Sequence, residues 1–245
     1  MRRRILVAST NPGKIAELRA MLGDDVEWVS LSDFKGVEEI TEDGQSFAEN
    51  ARKKATGYAK ATGLWTIADD SGLVVDVLDG APGAKSARFS ETTSGSRLRL
   101  GTPYGGAETT PQVSETTSGS RRAETTPQVS GAKDKDRTLL DHKNMAKVLK
   151  LLEGVPAEKR TARFVCCLCL ASPEELLIET EGTLEGFIAE KEMGESGFGY
   201  DPIFFVPQLG KTVAQLSREE KNAISHRGGA TRKLKPLLEQ LLRTR

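Results

Sequence analysis

Apolar and polar positions along this chain first spell out strand, loop and helix in turn. The apolar run RILVA (4–8) is short enough for a buried strand, and polar STNPGK (9–14) separates it from IAELRAML (15–22). There Ile15, Leu18 and Leu22 recur at helical spacing. A second strand is predicted at 26–31. SFAENARKKATGYAKA (46–61) reads as a helix opened by a capping box, Ser46 with Glu49. LWTIA (64–68) and LVVDVL (73–78) are predicted as two short strands flanking Asp69 and Asp70, and GAPGAKSARFS (80–90) as a Gly/Pro loop.

The pattern then lapses. SETTSGSR stands at 90–97 and again at 114–121, and AETTPQVS at 107–114 and again at 123–130. Stacking repeats carry an apolar stripe, and these copies carry almost none, so 91–130 is predicted to be a disordered surface insertion. Periodicity resumes with LLDHKNMAKVLKLLEG (139–154), an amphipathic helix stopped by Gly154. ARFVCCLCLAS (162–172), ELLIETEGTL (175–184) and EGFIAE (185–190) are predicted as three successive strands. SREEKNAI (217–224) reads as helix, SHRGG (225–229) as a turn, and ATRKLKPLLEQLLR (230–243) as a last helix. The expected organisation is one α/β domain, 1–245, interrupted at 91–130.

Composition narrows the classes of function. Among the 245 residues, Lys+Arg and Asp+Glu number 35 each, so no net field argues for a nucleic-acid partner or a membrane surface. No stretch approaches membrane-spanning length, and the basic start is followed by too few apolar residues for a signal peptide. A cytoplasmic protein is expected. Cys166, Cys167 and Cys169 lie together with no second cluster to complete a zinc site, and they read as small buried thiols, Cys167 and Cys169 on one face of a strand.

Two adjacent carboxylates at Asp69 and Asp70 are costly beside a core pattern. They suit a divalent metal, a general base or an aspartyl-phosphate nucleophile; two solvated aspartates in a turn would explain them equally. STNPGK opens a helix, where backbone amides and Lys14 can hold phosphate. It lacks the glycine spacing of a Walker A loop. In ESGFGYDPIFFV (195–206), Gly197 and Gly199 allow close backbone approach, and Phe198 and Tyr200 can stack on a flat base. EEKNAISHRGGA presents Lys221, His226 and Arg227.

STNPGK, Glu42, ENARKKA, ADDSGL, GAPG with SARFS, GFGYDPIF and EEKNAISHRG, in this order, resemble the RdgB-type inosine/xanthosine triphosphate pyrophosphatases. The resemblance spans about 1–90 and 131–245. It implies an ITPase-like α/β fold: a long, twisted mixed sheet with flanking helices and two lobes around a nucleotide cleft. It also implies hydrolysis of noncanonical purine triphosphates (ITP, dITP, XTP) to monophosphate and pyrophosphate, with Mg²⁺ as cofactor and a homodimeric state. Asp70 would be the general base and share Mg²⁺ with Glu42, with Asp69 as supporting neighbour. Ser9, Thr10, Asn11, Pro12, Gly13, Lys14, Lys54 and Ser71 would hold the phosphates. Phe198, Gly199, Tyr200, Asp201, Lys221, His226 and Arg227 would form the nucleoside pocket, Arg227 facing the 6-keto oxygen. The rival readings are a Maf-like pyrophosphatase acting on pyrimidine triphosphates, an aspartyl-phosphate phosphatase, and a nucleotide sensor without turnover.

Overall fold

A computed structural model of the chain describes residues 2–92 and 130–244. The interior of the repeat segment, 93–129, lies outside the described residues. Its flanks are the end of a 3₁₀ segment, Gly83–Glu91, and the start of a helix, Ser130–Leu151. That helix begins nine residues before the apolar periodicity does, in a polar stretch whose Ala, Lys and Arg are good helix formers.

Among the described residues seven strands form one sheet: β1 (Arg4–Val7), β2 (Glu27–Ser30), β3 (Trp65–Val75), β4 (Thr161–Ala171), β5 (Leu176–Ile188), β6 (Phe204–Val206) and β7 (Lys211–Thr212). Their spatial order is β2-β1-β3-β4-β5-β6-β7. β2, β1 and β3 are parallel and all later pairings antiparallel, so the sheet is mixed. Five helices among the described residues flank it: α1 (Pro12–Leu22), α2 (Phe47–Thr62), α3 (Ser130–Leu151), α4 (Arg218–Ile224) and α5 (His226–Thr244). Among the described residues no helix is long and apolar enough to cross a membrane.

Two pairs of expected strands prove to be single strands. The run at 64–68 and the first half of that at 73–78 merge into β3, with Asp69 and Asp70 inside it, because the backbone ladder to β4 runs unbroken from Thr66↔Ala171 to Val75↔Ala162; Asp76–Leu78, expected as strand, instead turn as a 3₁₀ segment once that ladder ends. A strand needs apolar side chains only where its faces are covered, and backbone pairing carries it through the polar stretch. The runs at 175–184 and 185–190 likewise merge into β5. Gly182 there is no break: a Cβ would stand 2.2 Å from the carbonyl oxygen of His226, so glycine admits α5 against the sheet. The predicted turn at 225–229 is also mostly helix, since only Ser225 is extended and α5 starts at His226. At α2, Ser46 Oγ accepts from the Glu49 amide at 3.2 Å, but the Glu49 carboxylate takes the amide of Gln45 rather than that of Ser46.

The unequal lengths of β1 and β3 position the site. β1 pairs with β3 only as far as Val7↔Ile67, closed by the Ala8 amide on the Ile67 carbonyl at 2.8 Å. From Ala68 onward β3 has β4 on one side and, among the described residues, no strand on the other. Alternation then sends the two aspartates to opposite faces. Asp69 shares its face with Ile67 and the core formed with Cys166, Leu168 and helices α1 and α5. Asp70 shares its face with Ala68, Cys167, Cys169 and the Ala51–Ala55–Ala59 stripe of α2. Those alanines, four residues apart, bring α2 close to the sheet. A third core, around Leu73, Phe89, Met145, Phe164 and Phe204, fills the far end of the long strands. The aspartates stand where the cores meet, and their mutual repulsion is relieved by the pleat itself.

Candidate active site

On its face of the sheet Asp69 anchors a buried chain of alternating charge. Its Oδ2 accepts from Lys14 Nζ at 3.0 Å and from Arg227 Nε and Nη2 at 3.2 and 3.0 Å. Ser71 Oγ adds a bond at 3.3 Å. Arg227 Nη1 continues to Glu17 Oε2 at 2.5 Å, Glu17 Oε1 meets Lys221 Nζ at 3.1 Å, and Lys221 reaches Asp201 Oδ2 at 2.7 Å. Three cations thus alternate with three carboxylates. Burying such groups costs several kcal/mol per ion unless each is paired, and every one here is. Burial alone would push the Asp69 carboxyl up, but Lys14 and Arg227 outweigh it and hold the group far below the usual carboxylate range. Asp69 stays ionised and has no basicity to spare.

Asp70 stands in a different field. Its Oδ2 accepts from Asn50 Nδ2 at 3.2 Å and its Oδ1 meets Lys54 Nζ at 3.3 Å, both from α2. Glu42 Oε1 lies 2.9 Å from the same ammonium. Burial raises the Asp70 pKa; Lys54 and Lys14 pull it down only partly, and Glu42 pushes it up again. The two neighbours therefore divide: one carboxylate is saturated with cations, the other retains affinity for a proton. Asn50, one helical turn before Lys54, is itself oriented by the Gly44 amide on its Oδ1 at 2.8 Å.

Beside these groups opens a cavity of about 760 Å³, with Lys14, Ser71, Phe198, Lys221, His226 and Arg227 on its wall. Asp70, Glu42 and Lys54 form their own cluster outside that wall, to which β3 contributes the next residues, Ser71 and Gly72. At the other end, Phe198 lies against the start of α1, where a Cβ on Gly13 would meet its ring at 3.0 Å. Lys221 Nζ sits 4.3 Å from the centroid of that ring. Gly197 and Gly199 both take positive φ, and a Cβ at Gly197 would stand 2.1 Å from Asp201 Oδ2. His226 is buried and stacked on Phe164, centroids 4.8 Å apart. Burial and then the charges of Arg227, Lys221 and Lys14 hold its pKa well below the ordinary value, so the ring is neutral. Its Nδ1 has no partner among the described residues.

Most residues expected at the site do converge, with changes in what each offers. Asn11 caps α1, its Oδ1 taking the amides of Gly13 and Lys14, while Ser9 Oγ takes the Asn11 amide. The turn's free donor is therefore Asn11 Nδ2, buried and unpartnered among the described residues, rather than those amides. Thr10 lines the cavity and Pro12 begins α1. Phe198 and Tyr200, expected as a stacking pair, both line the cavity, but Tyr200 is also anchored in the hydrophobic core and its hydroxyl donates to the Ser86 carbonyl at 2.8 Å. Arg227 is engaged with Glu17, Asp69 and Ser71, so a base contact from it requires that network to yield. Glu17 and Asn50 escaped notice in the sequence. Both sit on otherwise legible helices, one turn from a lysine already singled out, and that spacing was the available signal. The cysteines behave as expected: all three are buried free thiols, and burial pushes Cys166 up to about 12.

A family model described as the Ham1 family matches residues 5–102 and 125–237. A protein from Desulforamulus reducens named dITP/XTP pyrophosphatase is 40% identical over 239 residues, covering 97% of this chain and 96% of its own. One of the same name from Geobacter sulfurreducens is 41% identical over 233 residues, covering 95% and 94%. Among solved structures, the Ham1 protein of Staphylococcus aureus aligns with TM-score 0.71 and 34% identity over 97% of this chain and 99% of that one. A nucleoside-triphosphatase / dITP/XTP pyrophosphatase of Mycobacterium abscessus aligns with TM-score 0.64 and 38% identity over 95% and 99%.

Proposed function

The chain belongs to the Ham1 family, and from that premise and the geometry of the β3 aspartates we propose that it hydrolyses ITP, dITP and XTP to the nucleoside monophosphate and pyrophosphate. The observation that carries the proposal is the division between the aspartates. Asp69 is pinned by Lys14 and Arg227, while Asp70, raised by burial and held by Asn50 and Lys54, is suited to take a proton from water. Water activated by Asp70 attacks the α-phosphorus and pyrophosphate leaves. Lys14, Lys54 and Asn11 Nδ2 offset and orient the triphosphate charge, the main task of a phosphoryl-transfer site.

Glu42 and Asp70 fit a divalent cation. Both already reach one ammonium, Lys54, so they stand within reach of a single positive centre. Mg²⁺ characteristically takes one or two carboxylates, waters and phosphate oxygens. Among the described residues there is no cluster of three acidic, His or Cys ligands, which suits such a shared site better than a closed protein cage. Bound there, Mg²⁺ would supply charge neutralisation at the phosphates.

At the base end, a 6-oxo purine presents an acceptor where adenine presents a donor. Neutral His226, with an unpartnered ring nitrogen, supplies one N–H, and Arg227 adds another if its network relaxes. Adenine would leave such donors unpaired, costing about 1–3 kcal/mol per group. The same proposal includes a single domain interrupted at 91–130, supported by the unmatched stretch 103–124. It further includes a homodimer acting on the free nucleotide pool of the cytoplasm.

Pyrophosphate release with Mg²⁺ should be fastest for ITP, dITP and XTP and at least tenfold slower for ATP. Faster turnover of UTP or dTTP would restore the Maf-like alternative, which the relatives' names do not support. Binding without release would make the protein a sensor.

A further inference from the structure

α3 carries a stripe of polar side chains that its own helix does not require. Asp141, Asn144 and Lys147 recur every third residue, hence on one face. Asn144, buried, donates to the carbonyls of Ser86 and Ala87 and accepts from the Ser90 amide at 2.7 Å. Lys147 donates to the carbonyls of Phe89 and Thr92. Those two fix the 3₁₀ segment. Asp141 does something else: its Oδ2 accepts the backbone amide of Gly199 at 2.9 Å, across 58 residues of sequence.

That amide is one of two bracketing the Phe198 residue. The other, the amide of Phe198 itself, is held by Asp201 Oδ2 at 3.0 Å. Phe198 stands between two glycines in the left-handed region, where the chain has the widest conformational choice and loses the most entropy on ordering. Two carboxylates from different elements therefore clamp consecutive amides, and the clamp sets the pose of the ring between Gly13 and Lys221. Asp201 belongs to the loop and is itself held by Lys221 of α4, whereas Asp141 reaches the loop's backbone from α3. Both Asp141 and Phe198 are on the cavity wall.

We propose that Asp141 is a positioning residue for nucleoside recognition: through the Gly199 amide it aims Phe198 at the base, without acting on the phosphates. This rests on the cavity being the purine nucleotide site proposed above. The test compares wild type, Asp141→Ala and Asp141→Asn for equilibrium binding of inosine monophosphate and, separately, of inorganic tripolyphosphate, which has no base. Asp141→Ala should weaken inosine monophosphate roughly tenfold, as for loss of one charge-assisted hydrogen bond, and leave tripolyphosphate unchanged. Asp141→Asn, whose amide oxygen still accepts, should restore most of the affinity. With ITP, KM should rise and kcat stay within about threefold. Unchanged monophosphate binding in Asp141→Ala, parallel weakening of tripolyphosphate, or no rescue by Asp141→Asn would each overturn the proposal. Absent ITP turnover by wild type would instead overturn the activity, and the binding comparison would still decide the role of Asp141.

Discussion

Side by side in sequence, Asp69 and Asp70 predict opposite outcomes when each is neutralised. Asp70→Asn removes the proton acceptor, so kcat should drop at least about a hundredfold, with ITP affinity and the urea midpoint little changed. Asp69→Asn strips the counter-charge from Lys14 and Arg227 in a buried network, and stability should fall by about 3–5 kcal/mol in urea denaturation. His226 gives a pH signature. Its folded pKa is depressed, so below the unfolded value of about 6.5 the unfolded state binds the extra proton. Stability should then decline as pH falls from 6.5, by up to about 1.4 kcal/mol per pH unit, until the folded group titrates. The groups facing the ring are Arg227, Lys221, Lys14 and Asp69. The slope should flatten in His226→Phe, measured by denaturation across pH 5–7.

Among the elements, helices were legible because amphipathic periodicity and caps are local: α2, α4 and the body of α3 stand close to where their patterns put them. The long strands were not. Apolar alternation stops at Asp69–Gly72 and is punctuated by Gly182, yet pairing with β4 and contact with α5 carry both strands through, and neither partner is local in sequence. The same reason hid Glu17 and Asp141, whose roles exist only once α1, α3, α5 and the 197–201 loop meet. Conversely, Lys14, Glu42, Lys54, Asp70 and Arg227 were legible as motif members, while the closed network around Arg227 was not. Gly182 offers the sharpest element-scale test. In Gly182→Ala the new Cβ would stand 2.2 Å from the His226 oxygen and 2.4 Å from the Ala230 nitrogen. Displacing α5 should cost about 1–3 kcal/mol and move Arg227 and His226, lowering activity. The facing Gly229→Ala finds nothing nearer than 3.6 Å and, in a helix, should stabilise by about 0.5–1 kcal/mol; thermal denaturation of the pair checks both.

At the scale of the molecule, a sheet that is longer on one side of β3 than the other joins three cores and leaves the aspartates at their junction. The repeat segment has no chemistry assigned to it, and its flanks are tied to each other and to the site without it: Thr92 to Lys147 of α3, and α3 to the 197–201 loop through Asp141. Replacing 93–129 with a short Gly/Ser linker should therefore leave kcat/KM for ITP within a few-fold. The central claim is attack of a water oxygen on the α-phosphorus, with pyrophosphate as the leaving group. Turnover of ITP with Mg²⁺ in ¹⁸O-labelled water, followed by mass spectrometry of both products, tests it most directly. The account predicts one ¹⁸O in each inosine monophosphate and unlabelled pyrophosphate; label in the pyrophosphate, release of orthophosphate, or, in a single turnover, label first in the Asp70 carboxylate would contradict it.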